Sequence, residues 1–412
     1  MVQVQYGWED GAVLGEHSKK KHSVLRNYFY QYLITRCAQI PQQERFRLAV
    51  IDGFSGAGVY DEGHIGSPLI FVQTLNEATK FINLHRLNNG FKPIEIECLL
   101  VLNDAEPGVT ELLQTNIAPS LLQAAEESRN LKVVPKFYKQ TFESLYPSLR
   151  HHLLDQNTSN VFFNLDQCGY KWVPTEIIKN IMGTWKNAEI FLTFMIRSAL
   201  TYLTEKNDLA GFSNEPEVKE KIKAILDDET LMNRKEWLGE AEKIIYNNLM
   251  TCAPYVSPFS INNPDGWRYW LMHFANSYRA RQVYNNLLHE DSETQAHFGK
   301  PGLNMLSYDP LFDKTQLYLF DNDSRIAAKD ALNEDIPRLI AHSGDALLMG
   351  DFYASAYSGT PAHSDDIHSI IIESQELEVV TQYGGVRRKA NTIKPSDILK
   401  LKSQRSFFFS SK

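Results

Sequence analysis

The chain has 412 residues, of which 43% are hydrophobic and 22% are charged, and this length allows two or three domains. Its apolar runs fall short of the ~20 residues that a membrane helix needs, so we expect no membrane partner. The formal net charge of -8 disfavours a nucleic-acid partner when it is averaged over the whole chain.

The N-terminal segment predicts a cytoplasmic protein that begins with a helix. The first residues, MVQVQYGWED, lack the apolar core and the small-residue cleavage site of a secretory signal. From Lys19 to Arg36, apolar and aromatic residues recur at helical spacing behind a basic cluster that ends in Lys21-His22. We therefore assign residues 1–45 to an N-terminal helical segment beside the domain that follows.

The next region alternates short apolar runs with helical patterns, which predicts an α/β fold. Strands are indicated at RLAVIDGF, IECLLVLND, LKVVPKFY, NVFFNLD and AEIFLTFMI, and helices from Pro68 to Ala78 and from Val109 to Ile117. This alternation is typical of parallel βαβ units in a sheet covered on both faces. We expect a Rossmann-like domain at residues 46–197.

Two further segments follow this domain. Residues 198–260 carry Glu and Lys at the spacing of exposed helix faces, which predicts a helical insertion or lid. Residues 261–320 are expected to complete the sheet and to lead into a linker. In this segment WRYWLMHF, from Trp267 to Phe274, has the aromatic content of an added edge strand.

Residues 321–412 predict a winged-helix-like region. Helical patterns at Ile336–Ala341, Asp345–Tyr357 and Ser364–Glu373 precede LEVVTQYGGVRRKANTI, in which a Tyr-Gly-Gly turn separates two strand-like runs. Helices followed by such a basic hairpin indicate a winged helix-turn-helix.

This region also reverses the average charge of the chain. From Gly384 to Lys412 there are eight Lys or Arg residues against one acid, Asp397. Cations on a wing would neutralise phosphates and release counterions, which predicts a nucleic-acid contact. The alternative is a solvated basic surface without a partner. The residues assigned to the contact are Arg387, Arg388, Lys389 and Lys394.

The cysteines and histidines predict no metal site. Cys37, Cys98, Cys168 and Cys252 lie far apart and form no CxxC pair, which disfavours a zinc knuckle, an iron–sulfur site or a disulfide framework. The histidines have no spacing that suits a metal ligand set. We expect free, buried thiols.

The segment VIDGFSGAG, which ends at Gly58, carries the strongest chemical signal. An apolar strand ends in an acid and turns through glycines, which permit positive φ angles and let a ligand approach the backbone. The next strand also ends in an acid, Asp104, where ribose hydroxyls would be held. We expect a nucleoside cofactor at this edge, bound by Asp52, Gly53, Phe54, Gly56, Gly58 and Asp104.

Other interpretations of the glycine turn remain open. A glycine turn alone is also compatible with a tight strand-to-helix connection. A nicotinamide cofactor would favour GxGxxG opening directly into a helix, whereas a loop follows here, and the chain has no GxxxxGK[ST] for a P-loop.

Asp166 is the candidate catalytic residue. It follows the apolar run Val161 to Leu165, and the carboxyl ends of parallel strands meet at one crevice, so it should face the same site as Asp52. A carboxylate there would orient a substrate amine or accept its proton. The alternative is that Asp166 caps the helix that begins near Pro174 or closes a turn.

Four segments resemble, in serial order, those of the three-Cys-motif partner proteins. They are KKKHSVLRNYFYQYL, VIDGFSGAGVYDEGHIGSPLIFVQTL, FFNLDQCGYKWVP and PDGWRYWLMHFANSYRA. The resemblance covers roughly Glu16 to Ala280, and GSPLI is its most specific element. A more distant likeness is to bacterial ribosomal-RNA adenine-N6 methyltransferases, which also combine a Lys-His pair, a glycine turn and a GSPLIA segment.

This resemblance implies a class I methyltransferase sheet and S-adenosylmethionine as cofactor. It also implies a genetically linked partner protein with three cysteines that resemble a radical-SAM motif, in mobile or phage-related settings. Carried over by position, Asp52, Gly56 and Gly58 would hold the cofactor and Asp104 its ribose. Residues that would border the pocket are Lys21 and Ser67.

The chain departs from the family at two places. Asp166 and Gly169 fall on the family's DPxG segment, but Gln167-Cys168 replaces its proline-containing dipeptide. Since amino methyltransferases hold the target amine with an [DN]PP[YFW] turn, this change weighs against adenine-N6 or cytosine-N4 chemistry. Gln140 stands where an acid often meets the adenine amine; it either bonds the adenine or packs as an ordinary loop residue.

The sequence therefore predicts an S-adenosylmethionine-dependent methyltransferase that acts on or binds nucleic acid, with phage defence or a mobile element as its setting. The alternative is a catalytically inactive protein of the same fold. Such a protein would bind a nucleotide or serve as a scaffold for the cysteine-rich partner.

Overall fold

The chain forms two compact units, Met1–Leu287 and Leu288–Lys412. The computed structural model describes Trp8 and residues 12–167, 172–195, 220, 243–262, 268–290, 295–297, 302–303, 318–319 and 322–402. None of the helices in these ranges combines the length and the apolar character that a bilayer crossing requires.

Seven strands of the first unit pair into one mostly parallel sheet. They are β1 (Arg45–Asp52), β2 (Glu95–Asn103), β3 (Leu131–Tyr138), β4 (Asn160–Leu165), β5 (Asn187–Phe194), β6 (Tyr255–Asn262) and β7 (Arg268–Ala275). Their order is β3-β2-β1-β4-β5-β7-β6. The first five strands run parallel, and β7 is antiparallel to both β5 and β6. The predicted α/β class is confirmed.

Helices precede, connect and follow these strands. They are α1 (Glu16–Cys37), α2 (Ser67–Asn88), α3 (Val109–Glu127), α4 (Phe142–Asp155), α5 (Thr175–Thr184) and α6 (Tyr278–Glu290). Residues 243–250 are also helical. The helix predicted from Lys19 to Arg36 is confirmed as α1, and α2 and α3 run about ten residues beyond their predicted ends.

Helices cover both faces of the sheet, as the alternating side chains of β4 show. The ring of Phe162 lies 5.1 Å from that of Phe29 on α1 and 6.0 Å from that of Phe71 on α2. The next residue, Phe163, lies 6.3 Å from Phe142 on α4. Since neighbouring strand residues point to opposite faces, α1 and α2 cover one face and α4 the other.

Two predictions in the second half of this unit differ from the structure. WRYWLMHF is not an edge strand, since β7 lies between β5 and β6. Its side chains Trp270, Met272 and Phe274 are fully buried, which is the pattern of an interior strand. The predicted insertion at 198–260 includes most of β6, and its residues 198–219 and 221–242 lie outside the described residues.

The second unit has the strand and helix order of a winged helix. Its elements are β8 (Gln295–His297), β9 (Tyr318–Leu319), α7 (Asn322–His342), β10 (Ala346–Leu348), α8 (Met349–Gly359), α9 (Ser364–Glu373), β11 (Leu377–Val380) and β12 (Ile398–Leu401). The helices α8 and α9 form the helix-turn-helix pair, and the last three strands pair antiparallel in the order β10-β12-β11. The predicted winged-helix-like region is confirmed.

Two details of this unit differ from the sequence prediction. Asp345 is not helical: its φ of +66° belongs to a turn, and β10 separates that turn from α8. The Tyr-Gly-Gly turn closes a hairpin at Val380 and Val386, but only one bridge forms there and the second strand begins at Ile398. We call residues 381–397, between β11 and β12, the wing.

Candidate functional site

The glycine turn after β1 is hydrogen-bonded to the ends of both neighbouring strands. The N–H of Gly53 donates to the carbonyl of Asn164 at the end of β4, over 2.9 Å, and the N–H of Ser55 donates to that of Asn103 at the end of β2, also over 2.9 Å. Gly56 and Gly58 have φ angles of +59° and +79°. Only glycine adopts these angles without strain, which explains the GAG sequence.

A short loop brings the start of α2 back to this turn. Val59 and Ile65 form a β-bridge, and the N–H of Gly66 donates to the carbonyl of Gly58 over 2.8 Å. Ser67 is the first residue of α2, and its hydroxyl lies close enough to the carboxyl group of Asp52 to lower the pKa of that group. The predicted site residue Ser67 therefore lies beside Asp52.

Asp52 is a fully buried carboxyl group at the end of β1. Its Oδ1 accepts a hydrogen bond from Nδ2 of Asn164 over 3.1 Å. Its Oδ2 is buried without a hydrogen bond of good geometry among the described residues. Burial raises the pKa of Asp52 to about 7, although hydrogen bonds from Ser67 and Asn164 oppose this rise.

Asp104 meets the glycine turn directly. Its Oδ2 accepts the N–H of Gly56 and its Oδ1 accepts the N–H of Glu106, each over 2.9 Å. Burial raises the pKa of Asp104, and these backbone hydrogen bonds partly oppose the rise. Each oxygen retains acceptor capacity, because a carboxylate oxygen can accept two hydrogen bonds.

Gln140 joins the same edge through its backbone. The side chain of Asn103 donates to the carbonyl of Gln140 over 2.9 Å and accepts its N–H over 3.3 Å. The side chain of Gln140 is half-buried. The ends of β1, β2 and β3 are thus linked, and Asn103 is a linking residue that the sequence analysis missed.

An aromatic side chain from the N-terminal segment covers Gly56. A Cβ atom placed on Gly56 would lie 2.5 Å from Cζ2 of Trp8. The ring of Tyr60 lies 5.0 Å from that of Trp8 and 5.9 Å from that of His22, whose pKa is lowered to about 4 by burial. Sequence reasoning missed Trp8 because it precedes every predicted element.

Lys21 and Asp166, both predicted site residues, form an ion pair. The ammonium of Lys21 lies 2.6 Å and 2.8 Å from the two carboxylate oxygens of Asp166, and both side chains are largely buried. Burial raises the pKa of Asp166, but the charge and hydrogen bonds of Lys21 outweigh it and hold that pKa below its usual range. A carboxylate with a lowered pKa is a hydrogen-bond acceptor rather than a base.

One alternative role predicted for Asp166 is wrong, and the other agrees with the structure. The helix α5 begins after Pro174 without a side-chain cap, so Asp166 does not cap it. Asp166 does lie within a tight turn, because the N–H of Gln167 donates to the carbonyl of Leu165 over 2.9 Å. Gln167 instead organises this segment: its Oε1 accepts the N–H groups of Trp172 and Val173 over 2.9 Å and 3.2 Å. Those two donors fix the amide orientation, so Nε2 points away from them, and it is buried without a partner among the described residues. Cys168 and Gly169 lie outside the described residues.

Three of the cysteines agree with the sequence prediction. Cys37 and Cys98 are free, Cys37, Cys98 and Cys252 are all buried, and burial raises the pKa of the Cys37 and Cys98 thiols to about 12. Within the ranges described above, no cluster of three or more His, Cys, Asp or Glu side chains is arranged to hold a metal ion.

The four basic residues predicted for nucleic-acid contact have different surroundings in the wing. The guanidinium of Arg387 donates two hydrogen bonds to Asp397, over 2.9 Å and 3.0 Å, and is half-buried. Asp397 also accepts the N–H of Lys394 over 2.7 Å. Arg387 therefore stabilises the base of the wing, while Arg388, Lys389 and Lys394 are exposed.

Fold and site together define an α/β protein with a C-terminal winged-helix unit. The family model described as "GMT-like wHTH domain" matches residues 307–384. Among solved structures, a mutant of the T5 5'-exonuclease is similar at 10% identity, covering 50% of this chain and 87% of that chain, with a TM-score of 0.18. Comparison with curated proteins finds no match to the chain.

Proposed function

We propose that the chain is an S-adenosylmethionine-dependent methyltransferase whose acceptor is a nucleic acid. The observation that carries this proposal is the 2.9 Å hydrogen bond from the N–H of Gly56 to Oδ2 of Asp104. It joins the glycine turn of β1 to the acid of β2 at the edge where parallel sheets bind their ligands. The strand order supports the proposal, since open parallel sheets bind ligands where the order of the strands reverses, which here is between β1 and β4.

The residues at this edge fit the cofactor. S-adenosylmethionine supplies an electrophilic methyl group. Asp104 retains lone pairs that can accept ribose hydroxyls, while Oδ2 of Asp52 is a buried acceptor without a partner in the described part of the chain. Gly56 lets a ligand approach the backbone, and the Trp8 ring that covers it would become a wall of the site or move aside.

Asp166 is proposed to orient the acceptor. Its carboxylate is 28% exposed, so a substrate amine can reach it. Because Lys21 keeps it ionised, it would accept a hydrogen bond from that amine and hold the nitrogen lone pair toward the methyl donor. The second unit is proposed to hold the nucleic acid, and the winged-helix match supports this role.

Calorimetry tests the cofactor assignment. We expect the protein to bind S-adenosylmethionine and S-adenosylhomocysteine but not NAD, and Asp104→Ala to weaken that binding at least tenfold. The matched control is Glu126→Ala, since Glu126 is exposed on α3 away from the glycine turn. Equal affinity of both variants for the cofactor would remove the ribose assignment.

Methyl transfer tests the activity. Tritiated S-adenosylmethionine is incubated with separate DNA, RNA and protein pools, and label is expected on a nucleic acid. Asp166→Ala should abolish this label while it leaves the affinity for S-adenosylhomocysteine unchanged. Label on protein alone would overturn the nucleic-acid acceptor.

The second candidate function is a scaffold of the same fold without catalysis, for a cysteine-rich partner in phage defence or on a mobile element. Two observations favour it: Lys21 already occupies both oxygens of Asp166, and the Trp8 ring covers Gly56. A protein that binds neither S-adenosylmethionine nor S-adenosylhomocysteine in the calorimeter would support the scaffold.

A further inference from the structure

The two parts of the winged helix that commonly face nucleic acid carry opposite charge. The helix α9 occupies the recognition position of the helix-turn-helix pair and contains three acids, Asp365, Asp366 and Glu373, with no Lys or Arg. The wing, residues 381–397, contains four Lys or Arg residues and one acid. Phosphates would therefore be repelled by α9 and attracted by the wing.

The two exposed acids of α9 have no Lys or Arg partner among the described residues. Asp366 is buried and pairs with Arg325 over 2.6 Å and with Lys329 over 3.1 Å, so these two cations are used within the unit. Asp365 and Glu373 are exposed at opposite ends of the helix. The acidic groups that α9 presents to solvent therefore do not fit a phosphate backbone.

The wing has a fixed base and free cations. Arg387 and Asp397 tie its two ends together. On the adjoining strand β12, Lys400 pairs with Glu378 over 3.1 Å. The side chains of Arg388 and Lys389 are exposed and make no ion pair with any described residue. Arg388 and Lys389 are thus cations of the wing that a partner can contact.

An aromatic residue stands at the tip of the wing. Tyr383 is 89% exposed, and its neighbour Val386 is 53% exposed. The turn that carries Tyr383 is held by hydrogen bonds: Oγ1 of Thr381 accepts the N–H groups of Tyr383 and Gly385 over 3.3 Å and 3.1 Å, and Gly384 has a φ of +82°. A large ring held this far into solvent contributes nothing to the core, and it is placed to stack on an unpaired base.

We infer that the wing, and not α9, binds the nucleic acid, and that it prefers a single-stranded segment. Arg388, Lys389 and Lys394 neutralise phosphates, and Tyr383 stacks on a base. This inference deepens the nucleic-acid part of the proposed function and rests on it. It names the surface and the form of the acceptor.

Fluorescence anisotropy of the full-length protein tests the role of the cations, with a labelled oligothymidine and a blunt duplex as probes. Arg388→Ala with Lys389→Ala is expected to weaken oligothymidine binding at least tenfold. The slope of log affinity against log salt should become shallower by about 0.7 for each cation removed. The control is Arg338→Ala, since Arg338 is a similarly exposed arginine on α7. An equal loss with the control would overturn the wing assignment.

The aromatic contact and the helix are tested in the same assay. Tyr383→Ala should weaken oligothymidine binding about tenfold while Tyr383→Phe retains it, because stacking needs the ring and not the hydroxyl. Asp365→Asn should leave the affinity unchanged. Tighter binding by Asp365→Asn would place α9 against phosphates, and duplex binding as tight as that of oligothymidine would overturn the single-strand preference.

The outcome is separable from that of the proposed activity. The assay contains no S-adenosylmethionine, and every substitution lies in the second unit. Wing-dependent binding without methyl transfer would support this inference and reject the enzyme. Methyl transfer to nucleic acid that does not change when Arg388, Lys389 and Tyr383 are substituted would support the enzyme and reject this inference.

Discussion

The ends of β1 and β4 carry neighbouring carboxyl groups in contrasting surroundings. Asp166, just after β4, has the ammonium of Lys21 against both oxygens. Asp52, at the end of β1, has only neutral hydrogen-bond donors, Ser67 and Asn164 among them. Both groups are desolvated, yet the pKa of Asp166 is lowered while that of Asp52 rises to about 7. A single cation on α1 therefore decides which carboxyl group is ionised.

This contrast assigns different chemistry to the two acids. Pairs of carboxyl groups whose pKa values are driven apart commonly divide into a proton donor and an ionised acceptor. Asp166 is the fixed negative charge, suited to hold an amine. Asp52 exchanges a proton near neutral pH, so a ligand that approaches its Oδ2 meets either a donor or an acceptor.

The largest predicted effect is a pH dependence of stability caused by Asp52. Because its folded pKa of about 7 exceeds the ordinary 3.8, folded Asp52 binds a proton that the unfolded chain has released. Asp52 should therefore lower the free energy of unfolding as pH rises from about 4 to about 7, by about 4 kcal/mol in all. The buried His22, whose pKa is lowered to about 4, acts in the opposite direction over the same range, so the contribution of Asp52 is measured as the difference between the native protein and Asp52→Asn in urea denaturation at each pH. Asp155→Asn, on the exposed end of α4, should show no such pH-dependent difference.

A third buried carboxylate sharpens the contrast, since it lies inside a strand. Glu189 of β5 accepts the hydroxyl of Tyr28 over 2.5 Å, and Nε2 of His273 lies 3.4 Å away. Burial lowers the pKa of His273 and raises that of Tyr28. Tyr28 and Lys21 are on the same helix, α1. Tyr28 bonds Glu189 inside a strand, whereas Lys21 bonds Asp166 just after the end of a strand.

Removing Glu189 is expected to lower the stability of the protein without weakening the proposed binding of S-adenosylmethionine. Glu189→Ala leaves the buried Tyr28 hydroxyl with only the carbonyl of Ala280, 3.4 Å away, as acceptor and opens a cavity, so the free energy of unfolding should fall by about 3 kcal/mol. Chemical denaturation measures this loss, with the exposed Glu126→Ala as control. Unchanged stability combined with weaker binding of S-adenosylmethionine would mean that Glu189 belongs to the site.

Replacing the cation should give a smaller loss of stability and a change in pH response. Lys21→Met leaves Asp166 partly buried and unpaired, which is expected to cost about 2 kcal/mol in chemical denaturation. The pKa of Asp166 should then rise, so that methyl transfer would need a higher pH to reach half of its maximum. Lys19→Met, on the exposed side of α1, is the control. A pH profile that does not move would show that Asp166 does not act on the acceptor.

The sequence predicted the strand ends well because their signals are local. The strand LKVVPKFY begins and ends as predicted, and Gly56 and Asp104 meet as the order of two strands required. Contacts between distant segments were not predictable in the same way. Lys21 and Asp166 were each assigned to the site, but 145 residues separate them and no periodicity links them.

The remaining differences arise from tertiary context. The strand β6 lies mostly within the segment that the spacing of Glu and Lys assigned to a helical insertion, and its pairing with β7 defines it as a strand. Arg387 and Arg388 are neighbouring arginines that the sequence does not distinguish, yet of the two only Arg387 hydrogen-bonds Asp397 at the base of the wing. The charge pattern located the basic wing correctly, but it did not show which of the wing's cations form ion pairs within the protein.

The smallest predicted effect concerns the glycine turn and its aromatic cover. At a φ of +59°, Gly56→Ala costs about 1 kcal/mol for the left-handed backbone, and its Cβ must also displace the Trp8 ring. We expect the double variant Trp8→Ala, Gly56→Ala to lose less stability in chemical denaturation than the two single variants together. Without the Trp8 ring, the Cβ added at position 56 has no ring to displace. If the ring is a wall of the cofactor site, Trp8→Ala also weakens S-adenosylmethionine binding; if it is a cover, that variant tightens it. Fully additive losses would mean that the ring does not press on Gly56 in solution.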